Sequence, residues 1–323
     1  MPIQQSITLA IIAEETGFHR IFVGEDILSR EVFTYLSIIA LRTRKIGVAT
    51  GITSPYVRNP AVLASSVAML QRLSDGRFDL GLGVGGIPEV KKLTGAAPRQ
   101  PVEMLRETTT VVRRLLRGET ATFGDTDGTT YLQGFRLQKA TVRMPKILFG
   151  VRGPRLLSLA AEVADGVIFS GSKGHLPESE QIVEDAATKV GRPLQELERV
   201  LWLPFIEGKN QEDLDLARIV VGTVIASLPQ REVESIPSLA ESGEVLRRLR
   251  AGNYKAAARY MPEEMVREFC FFGSVDDILD EARRFERLGF MELVIGPPFG
   301  RRPEETLKTL KAYGEEWPND VEP

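Results

Sequence analysis

Short apolar runs alternate with longer stretches of helical spacing along this chain. Ile7, Ala10, Ile11 and Ala13 fall on one face of a helix; Gly17 ends it, and Ile21-Phe22-Val23 follows as a strand. The same punctuation recurs at Gly76 before Phe78, Gly166 before Val167 and Gly289 before Phe290, where a glycine suits the left-handed residue that stops a helix. The pattern predicts seven strands, at 20–24, 45–51, 77–83, 146–150, 166–170, 199–206 and 291–296. Helices alternating with short apolar strands imply an α/β fold with a parallel sheet. Seven strands is one short of a TIM (β/α)8-type barrel. Because the chain opens on a helix, the absent strand is expected to be the first. A true start upstream of Met1 is preferred to an open barrel with two unpaired edges.

Two segments interrupt the rhythm of what otherwise reads as a single domain over residues 1–323. Residues 119–139 predict a hairpin, with Thr122-Phe123 and Thr130-Tyr131 flanking the turn pair Asp127-Gly128. Residues 227–270 read as irregular helix broken by Pro229, Pro237 and Pro262, a cap over the barrel mouth or a subunit contact. The tail 314–323 is expected to fray.

The most informative stretch runs from Ala49 to Pro60. It leaves the strand Lys45–Ala49 and ends at Pro60, a favoured first residue of a helix. Between lie a glycine, two hydroxyls, Pro55 and Arg58, more than the two to six residues of an ordinary βα loop. Long elbows at the carboxyl ends of strands are where α/β proteins place ligands.

Composition narrows the classes. The 323 residues are 43% hydrophobic and 26% charged, an ordinary globular balance. The net charge of -3 gives no general attraction to nucleic acid or membrane. One cysteine, Cys270, excludes an internal disulfide, and its setting among Phe269, Phe271 and Phe272 suits a buried structural thiol. Two histidines, His19 and His175, are too few for a His-rich metal site. No apolar run is long enough to span a membrane and the start lacks a signal-peptide pattern, so a cytoplasmic protein is expected. There is no Gly-x-Ser-x-Gly elbow and no Gly-x4-Gly-Lys loop. Gly81-x-Gly83-x-Gly85-Gly86 lacks the helix and the following acid of a dinucleotide fingerprint, since Ile87-Pro88 comes next and Glu103 sits in a helix.

The elbow, the run Leu73–Gly86, the turn Gly150-Val151-Arg152-Gly153-Pro154, Ala164–Val167, Gly252-Asn253-Tyr254, Phe271–Asp277 and Ile295–Gly300 together resemble the luciferase-like monooxygenase superfamily. Within it they are most similar to the methylenetetrahydromethanopterin reductases that use coenzyme F420. The match covers nearly the whole chain in order, although each motif alone is weak.

The resemblance implies hydride transfer between reduced F420 and a methylene-tetrahydropterin or a similar small molecule, with FMN as the alternative cofactor. The other readings are an FMN-dependent monooxygenase and a paralogue that binds F420 or flavin without turnover. A homo-oligomer is expected. The resemblance also implies a cis peptide at Gly51-Ile52 backing the deazaflavin ring; the plain alternative is a trans strand end. The residues expected to bind cofactor are Gly51, Ile52, Thr53, Ser54, Gly83, Gly85, Gly150, Val151, Arg152 and Gly153. Gly83 and Gly85 would leave room beside the ring, and Arg152 with the helix start at Pro154 would hold the anionic tail. Arg58, Arg301 and Arg302 are open between anion contacts and solvent. The family's proton donor lies on the first strand, and its usual Asp-His pair is here Glu25-Asp26, so Glu25 and then Asp26 become the catalytic candidates. The alternative is that both cap the next helix.

Overall fold

The computed structural model describes residues 2–26, 29–124, 130–141, 143–228 and 230–314. The predicted turn Asp127-Gly128, Pro229 and nearly all of the tail therefore lie outside the described residues. The chain divides into two compact units, residues 1–168 with 181–198, and residues 169–180 with 199–323.

In the first unit the order is α1 (Ile3–Glu15), β1 (Arg20–Val23), α2 (Val32–Arg42), β2 (Gly47–Thr50), α3 (Pro60–Leu73), β3 (Phe78–Leu82), α4 (Ile87–Thr94), α5 (Pro101–Leu116), β4 (Ala121–Gly124), β5 (Thr130–Phe135), β6 (Ile147–Gly150), α6 (Pro154–Val163) and β7 (Gly166–Phe169). Strands β1, β2, β3, β6 and β7 are parallel neighbours in that order, with Val23 beside Thr50, Leu80 beside Ile147 and Leu148 beside Gly166. Their apolar runs follow from burial on both faces. Val48, Ala49 and Thr50 are fully buried, as are Ile147, Leu148 and Phe149.

α3 buries Ala61, Leu63, Ala64, Val67 and Leu70. Pro60 starts it as expected, and the Asn59 side chain accepts a 2.8 Å hydrogen bond from the Ala61 amide. The pair β4–β5 is the predicted hairpin. Gly17, Gly76 and Gly289 adopt the expected positive φ. Gly166 does not: it lies inside β7, where an added methyl would meet the Glu198 carbonyl at 2.6 Å and Leu148 at 2.7 Å. Its glycine is required by close strand packing, not by a helix stop.

Helix α7 (Leu176–Lys189) leads to β8 (Glu198–Glu207), followed in the second unit by α8 (Gln211–Ala226), α9 (Gln230–Ser235), α10 (Pro237–Ala240), α11 (Gly243–Arg250), α12 (Tyr254–Ala258), α13 (Glu263–Phe269), β9 (Phe271–Gly273), α14 (Val275–Arg287), β10 (Glu292–Gly300) and α15 (Pro303–Gly314). β8 pairs in parallel with β9 and with β10. The β8–β10 register shifts between Gly296 and Phe299, where Pro297-Pro298 offers no amide to the ladder. Strand β9 stands outside the seven predicted. Its three residues continue the apolar run of α13, so periodicity alone does not separate strand from helix there.

The predicted helical segment is α9 through α13. It packs with α8 around Val221, Leu239, Ala257, Met265, Phe269 and Cys270, all essentially buried. Burial pushes the Cys270 thiol up to about 12, the inert structural cysteine expected. Among the described residues, no helix is long and apolar enough to cross a membrane.

Candidate functional site

The ladder order brings the carboxyl ends of β1, β2, β3 and β6 together within the first unit. Nearly every predicted site residue belongs to one of the four loops that leave these ends.

At the end of β2 the ladder breaks. Ala49 pairs with Asp79, and pairing with β3 resumes only at the bridge between Thr53 and Leu82. The skipped residues form the bulge, and Gly51-Ile52 is cis, as the resemblance implied. Gly81 faces the break. Its amide donates to the Thr50 hydroxyl oxygen and that hydroxyl donates back to the Gly81 carbonyl, both at 2.8 Å. A buried threonine thus replaces the missing rung, which buried backbone groups require. Gly51 N donates to Val23 O at 2.8 Å, Glu25 N to Ile52 O at 2.9 Å and Gly83 N to Thr53 O at 3.0 Å, tying the bulge to both neighbours.

Two glycines around the bulge pack against Ile52. A methyl placed on Gly83 would lie 2.5 Å from Ile52 Cδ1 and 2.4 Å from the Gly150 carbonyl oxygen. One placed on Gly150 would lie 2.5 Å from Ile52 Cγ2. The space at Gly83 and Gly150 is filled by the Ile52 side chain, so these glycines seat Ile52. Thr53 and Ser54 are also committed inward. The Thr53 hydroxyl donates to Glu25 at 2.6 Å, and the Ser54 hydroxyl donates to the Val84 carbonyl at 2.7 Å. Val151 is buried. Gly51, Ile52, Gly85, Arg152 and Gly153 keep partial or full exposure at the strand ends.

Glu25 is the centre of a charged cluster. Its carboxylate, 7% exposed, accepts from Thr53 Oγ1 and from Arg58 Nε at 3.0 Å and Nη2 at 2.6 Å. Arg58 also pairs with Glu31 and lies 4.8 Å over the Phe33 ring. Burial works against the charge on Arg58, but Glu25 and Glu31 outweigh it and hold its pKa above the ordinary value. Burial likewise pushes the Glu31 pKa up, and it is outweighed by the hydroxyl and amide of Thr34, the Phe33 amide and Arg58, so the net shift is down.

Glu31, not Glu25 or Asp26, caps α2 through the Phe33 and Thr34 amides. Asp26 closes the neighbouring turn, accepting from the Ser29 hydroxyl while its carbonyl takes the Arg30 amide at 2.6 Å. Glu25 thus accepts from guanidinium and hydroxyl donors, and Asp26 from the Ser29 hydroxyl. Arg58 is the member that sequence reasoning left open. The one available signal was an arginine set among the hydroxyls of the elbow.

Two helices start at the same edge. α4 opens at Gly86, so the glycine run does lead into a helix, one of eight residues. Its N-terminus already carries an acid: an added methyl on Gly86 would lie 2.1 Å from the Glu89 carboxylate. α6 opens at Gly153 with no side-chain cap and no acid in its first turn. Gly153 has φ +80° and nothing within 4 Å of its missing methyl. Uncapped amides beside Arg152 make a donor set suited to an anion. That donor set fits the anionic part of the F420 that the sequence resemblance implies.

In the second unit the Lys173 ammonium donates to the Cys270 carbonyl at 2.9 Å and to both Glu281 oxygens at 2.8 and 2.9 Å. Burial lowers its pKa despite Glu281. Arg301 pairs with Glu212 and Asp213, and Arg302 with Glu305. The open arginines of the last helix start are thus engaged with carboxylates.

This arrangement, with polar elbows at the carboxyl ends of parallel strands, defines an α/β protein of the TIM-barrel type. The profile of the luciferase-like monooxygenase family matches residues 1–292, and the chain belongs to that family. It is 29% identical to the 5,10-methylenetetrahydromethanopterin reductase of Methanolobus tindarius, over 96% of this chain and 95% of that protein. It is 26% identical to the F420-dependent glucose-6-phosphate dehydrogenase of Nakamurella multipartita, over 95% of this chain and 89% of that one. Among solved structures, the coenzyme F420 dependent tetrahydromethanopterin reductase of Methanopyrus kandleri superposes with a TM-score of 0.82 at 23% identity, covering 96% of this chain and 94% of that one.

Proposed function

We propose that this chain is an F420-dependent oxidoreductase that moves a hydride between reduced F420 and a methylene-tetrahydropterin or similar small molecule. The observation that carries the reading is the near full-length similarity to a methylenetetrahydromethanopterin reductase and to an F420-dependent dehydrogenase. The uncapped α6 start beside Arg152, which follows Gly150 where the Ile52 side chain of the elbow packs, supports it.

When bound, F420 would supply the hydride. The protein's own residues would bind and orient. Gly153, the first-turn amides of α6 and Arg152 would take the anionic part. Ile52, seated on Gly83 and Gly150, would present a rigid apolar surface at the ring and keep water from one side of it. Glu25 and Asp26, the sequence-based candidates for the proton, would contribute through the shape of the elbow and its neighbouring turn.

The test is turnover. Reduced F420 should be oxidised when methylene-tetrahydromethanopterin is added to the purified protein, read as growth of the F420 absorbance band. Turnover with another imine or a carbonyl only would keep the cofactor and overturn the pterin. Oxygen-dependent turnover with reduced FMN would place the chain with the monooxygenases instead.

A further inference from the structure

We infer that Glu25, Thr53 and Arg58 act as one clamp that positions the cofactor elbow, with Glu25 a positioning residue; this rests on the F420 reading above. Three facts converge. Glu25 follows the end of β1 and its amide is fixed to the Ile52 carbonyl at 2.9 Å. Its carboxylate reaches Thr53 Oγ1, the residue that re-enters the ladder after the bulge, at 2.6 Å. The same carboxylate takes a two-nitrogen grip from Arg58, next to the Asn59 cap of α3.

One side chain thus pins both ends of the segment 53–58, and the guanidinium is held in turn by Glu31 and by the Phe33 face. Thr53 is fully buried, Glu25 7% exposed and Arg58 16% exposed, so the links are sheltered from solvent screening. Among the described residues Glu25's short contacts are with donors, and Nε and Nη2 of Arg58 point at carboxylates. The geometry assigns Arg58 to the protein's own acids.

The two roles open to Arg58 predict opposite signs for Glu25→Gln. If Arg58 served as a direct anion contact, removing the competing carboxylate would free it and tighten F420 binding. If the clamp sets the elbow, the same change loosens it and weakens binding.

The experiment measures quenching of F420 fluorescence by the wild-type chain, Glu25→Gln, Arg58→Gln and the double variant, each well below its own melting temperature. We expect ten- to a hundredfold weaker binding for each single change, and a double variant no worse than the poorer single one, since both break the same link. Thr53→Val keeps shape and charge and should weaken binding three- to tenfold with a melting temperature within a few degrees of wild type. It carries the test should Glu25→Gln fail to fold. Tighter or unchanged binding in Glu25→Gln, or in Thr53→Val where that variant stands in, overturns the clamp. A wild-type chain that does not quench F420 overturns the F420 reading, and the clamp as a cofactor device with it, before any variant is compared.

Discussion

Ile52 and Gly150 offer a steric test that can be worked from the structure. A methyl on Gly150 meets a single group, Ile52 Cγ2, at 2.5 Å; the next atoms of Ile52 are at 3.7 and 3.8 Å. Ordinary carbon contacts lie near 3.5–4.0 Å, so something must shift by about 1 Å. Overpacking of this kind costs about 1–3 kcal/mol. Gly150 does not have positive φ, so the penalty of Gly150→Ala is steric rather than conformational. Leucine has no Cγ2 branch at the β carbon, and Ile52→Leu removes the offending methyl. The double variant Ile52→Leu/Gly150→Ala should therefore recover most of the stability lost by Gly150→Ala. Gly83→Ala makes a useful contrast. Its methyl also meets the Gly150 carbonyl oxygen at 2.4 Å, a backbone atom that no change at Ile52 removes, so Ile52→Leu should leave Gly83→Ala largely unrescued. Urea unfolding followed by circular dichroism measures the wild type, the three single variants and the two double variants. Additive losses in the Gly150 pair, or equal rescue of both alanine variants, would refute the seating of Ile52 on these glycines.

Other expectations follow from the same contacts. Arg20, 8% exposed, joins Asp79 at 2.6 Å and Glu198 in the first unit; Arg20→Met leaves Asp79 the Lys146 amide and Glu198 the Lys146 ammonium and should cost about 1–3 kcal/mol, seen as a melting temperature lower by a few degrees. Thr50→Val removes the hydroxyl that serves both the amide and the carbonyl of Gly81 and should cost about 2–4 kcal/mol in the same urea assay. Burial raises the Glu14 pKa, but the Ile46, Lys45 and Arg44 amides outweigh it and the net shift is down. A depressed carboxylate stabilises above its unfolded pKa and loses that contribution as pH falls through its folded pKa, so the gap between wild type and Glu14→Gln should be constant near neutrality and close at acidic pH. Cys270, with its thiol raised to about 12, should resist a thiol reagent at pH 8 until the chain is unfolded.

Much of the fold was legible because doubly buried parallel strands are continuous apolar runs and their helices end at glycines. Strand β9 escaped because Phe269–Phe272 is apolar throughout and carries no period. Gly166 was misread because the sequence cannot tell a glycine that stops a helix from one that admits a neighbouring strand. The cis bulge was legible from the resemblance, and the elbow's position from its length.

What the residues do in the elbow was less legible. Gly83, Gly150, Thr53 and Ser54 looked like ligand residues, since small and hydroxyl side chains suit a close-fitting ligand. The structure spends them on Ile52, Glu25 and Val84, contacts that join residues about 30 to 100 positions apart. Glu25 looked like an acid because of its place at a strand end. Its partner Arg58, 33 residues on, could not be read from that place.

Titration of the purified protein with oxidised F420 and, separately, with FMN tests the central claim most directly. The account predicts saturable quenching of F420 fluorescence at one site per chain, lost in Arg152→Ala by roughly ten- to a hundredfold in Kd, and no retention of FMN through gel filtration. Tight binding of FMN with no quenching of F420 would contradict it.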